Sequence, residues 1–136
     1  NYTISYTYKN SVVEKYGKIF NKENIHKYSP KISKICDHIE DSEGICLIYS
    51  QHIKGGVVPM ALALESRGFE LYRENGPTRL LNTNDVYKKP SHKYILITGK
   101  SIYSPNNSSD IKKLTQSDIK SGQIIKVVII SRVGSE

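Results

Sequence analysis

The sequence predicts an α/β domain of three layers, a parallel sheet with helices on both faces. Two observations predict it. Short apolar runs without alternation, at residues 44–50, 94–98 and 124–131, read as strands buried on both sides, the habit of a parallel sheet. Helical stretches alternate with these runs, and the order helix, strand, helix, strand, helix, strand implies right-handed crossovers. The 136 residues suit one domain, and 38% hydrophobic residues suit a packed core rather than a disordered chain.

Residues 1–27 form a lead-in without a clean period. Tyr2, Ile4, Tyr6 and Tyr8 alternate with polar residues, as in an edge strand, and Val12, Val13, Tyr16, Ile19 and Phe20 fit a helical face loosely. The first well-marked helix opens at Ser29-Pro30. Serine caps, and proline is tolerated in the first turn because its missing N–H would have no partner there. Ile32, Ile35, Cys36 and Ile39 then recur at i, i+3, i+4 and i+7, one buried face, and residues 41–44 end the helix.

The strand at 44–50 follows. Gly55-Gly56 is expected to be a flexible loop, and residues 57–67 a helix with Pro59 near its start and Gly68 just past its end. Residues 69–72 read as a short extended piece. Residues 73–90 are polar, broken by Gly76-Pro77 and Lys89-Pro90, and form a loop long enough to be an insertion or a functional element. The strand at 94–98 is closed by Gly99, residues 104–109 form a turn cluster, and residues 110–120 a weakly amphipathic helix carrying Ile111, Leu114 and Ile119. The strand at 124–131 is the most apolar. A central strand rarely ends an open α/β domain, so the natural chain is expected to continue past Glu136.

The formal charge of +7 and the pI of about 9.3 favour polyanionic partners, nucleic acid ahead of an anionic membrane. Cys36, on the helix face, and Cys46, in the strand, read as buried thiols. No apolar stretch approaches the ~20 residues of a membrane-spanning helix, and no signal peptide is evident, so an intracellular, reducing compartment is expected.

Gly99-Lys100-Ser101 follows a strand but is not a P-loop. That motif needs a glycine at position 94, where Tyr94 stands, and the segment meets Pro105 instead of opening a helix. The four histidines and two cysteines match no zinc spacing, and no Ser/His/Asp set is visible. Three strand ends do carry small polar residues: residues 49–52, residues 98–101 and residues 131–136. At the carboxyl ends of parallel strands they converge on one sheet edge. There hydroxyls, an amide, glycines and the cations Lys100 and Arg132 suit contact with a phosphate backbone.

In this order the segments resemble the second RecA-like lobe of superfamily 2 helicases. The likeness is to the large-DNA-virus branch related to poxvirus early-transcription ATPases and, more distantly, to Swi/Snf translocases. Residues 28–31 resemble the lead-in to that lobe, residues 47–52 its motif IV, and Gly55-Gly56 with residues 60–69 the helix after it. Residues 94–99 resemble the next strand and turn, and residues 128–136 the start of motif V. The resemblance covers residues 28–136, except the loop at 73–90, and makes the chain a RecA-like lobe cut after the motif V strand, behind a lead-in of residues 1–27.

The resemblance implies a parent that uses ATP and Mg²⁺ to move along DNA or RNA, with a first RecA-like lobe of the same chain as partner and no membrane. The phosphate- and magnesium-binding motifs of such enzymes lie in the first lobe and the arginine finger lies beyond motif V. This chain is therefore expected to hold no cofactor and to be inactive alone. Ser50, Gln51, Thr98, Gly99, Lys100, Ser131 and Arg132 are the candidate nucleic-acid contacts, and Gly134, Ser135 and Glu136 would face the nucleotide cleft. A viral parent would work in the host cytoplasm or the virion. Two other readings stay open: a degenerate helicase-like scaffold of a transcription complex, and an α/β enzyme of nucleotides or sugars using Asp110 or Glu136 as an acid.

Overall fold

A computed structural model describes residues 4–73, 75–83, 92–108, 112 and 125–131. Four helices occur among them: α1 (Asn10–Tyr16), α2 (Lys22–Tyr28), α3 (Pro30–Asp41) and α4 (Val58–Glu65). Four strands, β1 (Cys46–Ser50), β2 (Glu70–Leu71), β3 (Lys93–Ile97) and β4 (Ile125–Ser131), form one sheet in the order β1-β4-β3-β2 with every pairing parallel. The α/β class and the parallel sheet read from the sequence are thus present. The helix expected at 110–120 falls, apart from Lys112, outside the described residues.

α3 forms where its local signals place it. The Ser29 hydroxyl accepts from the Ile32 amide at 3.2 Å, Pro30 occupies the first turn, and Cys36 and Ile39 face inward. α4 is apolar on every side but for Glu65, and every residue but Pro59 is buried, so it lies inside the fold rather than on its surface. The core lies between these two helices and one face of the sheet, where Tyr94, Leu96, Val127 and Ile129 meet Cys36, Ile39, Ala61 and Leu64.

Three expectations are corrected. Gly55-Gly56 is not a loose loop. Residues Ile53–Val57 wind as a π-helical turn, closed by the Val57 amide on the His52 carbonyl at 3.0 Å, and α4 starts only at Val58. The turn has room for glycine only at position 56, because a Cβ there would lie 1.9 Å from the Ser50 hydroxyl. Second, β1 is not buried on both faces. It is one of the two outer strands of the described sheet, and Leu47 and Tyr49 are 71% and 64% exposed while Cys46 and Ile48 pack inward. Third, Cys46 is only partly buried; Cys36 is fully buried, and both are free thiols.

The lead-in is tied to the body. Tyr6 forms a parallel bridge with Leu81, its amide donating to the Leu80 carbonyl and its carbonyl accepting from Asn82, both at 2.7 Å. Ile4, Tyr6, Tyr8 and Phe20 pack on the core. From the other side Glu65 grips the same loop, accepting from the Leu80 and Leu81 amides at 2.7 and 2.9 Å and from the Tyr94 hydroxyl.

Candidate nucleic-acid interface

Parallel pairing brings the carboxyl ends of the strands to one edge. β1 and β4 end in register, Ser50 opposite Ser131, and β3, which also pairs with β4, delivers the turn after Ile97 beside them. Ser131 is buried, and its hydroxyl meets no hydrogen-bond partner among the described residues. The Ser50 hydroxyl donates to the His52 carbonyl at 3.0 Å and supports the start of the π-turn, with Gln51 exposed beside it. Ser50, Gln51, Thr98, Gly99, Lys100 and Ser131 therefore do lie at one edge. Arg132, Gly134, Ser135 and Glu136 fall outside the described residues.

The turn after β3 is built on two hydroxyls. Thr98 is buried; its amide donates to Ser104 Oγ at 2.9 Å, and its own Oγ1 lies 2.7 Å from that oxygen. The Lys100 amide donates to Thr98 Oγ1 at 3.1 Å, and the Lys100 carbonyl accepts from the Tyr103 and Ser104 amides. Asn107 Nδ2 donates to the Thr98 carbonyl at 2.7 Å, which leaves Asn107 Oδ1 buried with no partner among the described residues. Thr98 thus shapes the turn from beneath, while Gly99, Lys100 and Ser101 stand exposed on it.

The turn borders an open depression of about 500 Å³, lined by Thr98, Gly99, Ser101, Ser104, Pro105, Asn106, Asn107 and Ser108. Its walls are hydroxyls, amides, a glycine and Pro105, with no carboxylate. Such a wall can donate to oxygens of a phosphate or sugar, and the exposed Lys100 stands in sequence between Gly99 and Ser101 of the lining. It is not a triphosphate cradle. The Thr98, Lys100, Tyr103 and Ser104 amides that a P-loop would aim at phosphate are already bonded within the turn. Among the described residues no cluster of three His, Cys, Asp or Glu could hold a metal ion, and no helix is long and apolar enough to cross a membrane.

Sequence reasoning passed over one cation at this edge. Arg73 follows β2, in the segment read as loop, and its Nη2 donates to the Tyr103 carbonyl at 2.9 Å. The Tyr103 hydroxyl in turn lies 2.8 Å from that of Tyr6, so β2, the turn and the lead-in are joined here. The available signal was position: Arg73 stands two residues past the end of β2, as Lys100 stands three past the end of β3.

No protein-family model matches the chain, and no solved structure does. Curated relatives do. The "Termination factor NPH-I homolog" of an African swine fever virus isolate from a Namibian warthog is 28% identical over 136 aligned positions, which cover 79% of this chain and 18% of the relative. The protein of the same name from a Malawi tick isolate is 28% identical over 132 positions with the same coverage. The chain thus spans less than a fifth of the length of the relatives it matches. These similarities support a distant helicase-family relation, and at that level they agree with the resemblance carried by the strand-end motifs.

Proposed function

We propose that this chain is the nucleic-acid-facing second lobe of an ATP-dependent helicase or translocase that serves viral transcription, and that it does not cleave ATP by itself. The observation that carries the reading is the convergence of Ser50, Ser131 and the Thr98–Ser104 turn, with Lys100 exposed, on the carboxyl edge of a parallel sheet. The relation to viral termination factors supports it.

At this edge the exposed polar groups and the Lys100 ammonium would meet phosphate oxygens, and the rigid sheet would hold them in line. Such contacts read no bases, so recognition would be independent of sequence. Arg132 would extend the track, and Gly134, Ser135 and Glu136 would face the nucleotide cleft against a first lobe. When bound in the parent, ATP and Mg²⁺ would supply the energy for lobe closure. The described residues of this chain do not fit a triphosphate site, so its part is to hold the strand.

Fluorescence anisotropy on labelled duplex and single-stranded oligonucleotides tests this. Two or three neutralised phosphates give a slope of log affinity against log salt near −2 to −3, and a dissociation constant in the non-specific range of about 10⁻⁴ to 10⁻⁶ M. Lys100→Ala with Arg132→Ala should weaken binding equally on all sequences and flatten the slope. An unchanged duplex affinity in that variant, or strong preference for one sequence, defeats the reading.

A further inference from the structure

Much of the chain's positive charge is carried by segments other than the strand ends. Residues 9–34 hold seven lysines against the two glutamates Glu14 and Glu23, a surplus of five in a chain of formal charge +7. Lys9, Lys15, Lys27, Lys31 and Lys34 are exposed, and Lys22 is exposed but 3.7 Å from Glu40. Within this basic stretch Tyr16 ends α1 and Tyr28 ends α2. Their rings pack edge to face at 6.2 Å and 84°, the Tyr28 hydroxyl donates to the Tyr16 carbonyl at 3.4 Å, and Lys15 Nζ sits 5.4 Å from the Tyr16 ring centre.

The rings are 49% and 45% exposed, so neither is spent on the core. An edge-to-face pair covers at most one face of one ring, Lys15 already lies over Tyr16, and the exposure that remains beside these lysines suits a single strand: bases stack on the rings and phosphates meet the cations. A membrane fits less well. No aliphatic side chain of α1 or α2 stands among the large exposed hydrophobics, so the face lacks the apolar wedge that an interfacial helix inserts.

We infer that the surface of α1, α2 and the first turn of α3 carrying Tyr16 and Tyr28, with Lys15 over the Tyr16 ring and the exposed Lys27 and Lys31 flanking Tyr28 in sequence, binds single-stranded nucleic acid. It is a second contact, separate from the carboxyl edge and independent of the function proposed there. A duplex, whose bases are already stacked on each other, gains only the charge term at this surface.

The test is anisotropy on labelled 20-nucleotide oligo-dT and on a 20-base-pair duplex. Tyr16→Ala with Tyr28→Ala should weaken oligo-dT binding by about tenfold, the loss of one or two stacked bases, and duplex binding by less than about twofold. Tyr16→Phe with Tyr28→Phe should keep wild-type affinity, since the ring faces remain. Lys15→Gln, Lys27→Gln and Lys31→Gln together should flatten the single-strand salt slope by about 2. Thermal denaturation checks that each variant stays folded. Oligo-dT binding unchanged in the alanine pair, an equal loss on both substrates, or an unchanged slope in the lysine variant overturns the inference. So does binding to phosphatidylserine vesicles that oligo-dT does not displace. Lys100→Ala separates the two surfaces, because the carboxyl edge should lose duplex and single strand alike.

Discussion

Glu65 is a carboxylate inside an apolar helix, and its partners explain why it is tolerated. Burial lifts its carboxyl above the ordinary range, and the Tyr94 hydroxyl and the Leu80 and Leu81 amides pull it back. With two oxygens it satisfies three donors. Glu65→Gln would turn an NH₂ toward one of those amides and should cost about 1–3 kcal/mol in urea denaturation; no loss would mean that the grip is dispensable. Ser50 and Gly56 make a second residue-scale case. Gly56→Ala would drive a Cβ into Ser50, 1.9 Å from its hydroxyl and 3.0 Å from its Cβ, at an expected cost of about 1–3 kcal/mol. In a Ser50→Gly background the same change should cost clearly less, and additive losses in that double-mutant cycle would refute a direct clash. Neither arrangement was legible in the sequence. Glu65 looks like an ordinary helix charge until the loop at 78–81 folds over it, and Gly55-Gly56 looks like a hinge until Ser50 packs on it.

Among the elements, α3 and the apolar strands were legible because their signals are local: a serine cap followed by proline, a period of 3.6, unbroken apolar runs. The π-turn was not, because its closing bond from the Val57 amide to the His52 carbonyl follows no period in the sequence, and the packing of Gly56 on Ser50 is set by the fold. The exposed side of β1 was not legible either, since an apolar run does not say whether its strand will be central or outermost. For the site, parallel pairing made the convergence of Ser50, Thr98 and Ser131 readable, but the internal use of the Thr98 hydroxyl depends on Ser104 and is not a sequence signal. The joint between α3 and α4 is likewise non-local. Arg67, with its side chain 2% exposed, donates to Asp37 at 2.7 Å and Glu40 at 2.8 Å. Burial opposes the guanidinium charge, yet the two carboxylates outweigh it, and the hydrogen bond from Arg67 holds Asp37 below the ordinary carboxylate range. A carboxyl lowered on folding adds stability above its unfolded pKa of about 4 and loses it as pH falls through the folded value. Thermal midpoints at pH 7 and pH 3 should therefore differ less in Asp37→Asn than in wild type. An equal acid loss in both would place the acid sensitivity elsewhere.

For the whole molecule, the question is whether the lead-in is a separate arm or part of the body. Its backbone bonds to Leu80 and Asn82 lie on one side of a loop that Glu65 holds from the other, so the loop is clamped between an early segment and α4. The Tyr6 hydroxyl reaches Tyr103, whose amide donates to the Lys100 carbonyl, and so links the lead-in to the turn that presents Lys100. Removing residues 1–8 would take away the two backbone bonds, the Tyr6–Tyr103 pair and the Tyr8 hydroxyl that accepts from the Phe20 amide. At about 1 kcal/mol for each hydrogen bond, with some lost apolar burial, the expected cost is about 3–5 kcal/mol. That is a large share of the stability of a domain this size. Hydrogen exchange separates a local from a global effect. The Asn82 amide, which donates to the Tyr6 carbonyl, should lose protection first. The Leu81 amide, held by Glu65, should keep more of its own as long as the domain is folded. Tyr6→Phe keeps both backbone bonds, so it should leave Asn82 protected and cost only about 1 kcal/mol. A truncated chain with an unchanged urea midpoint and a protected Asn82 amide would show the lead-in to be a passive arm, and the tie to the Lys100 turn would carry no weight.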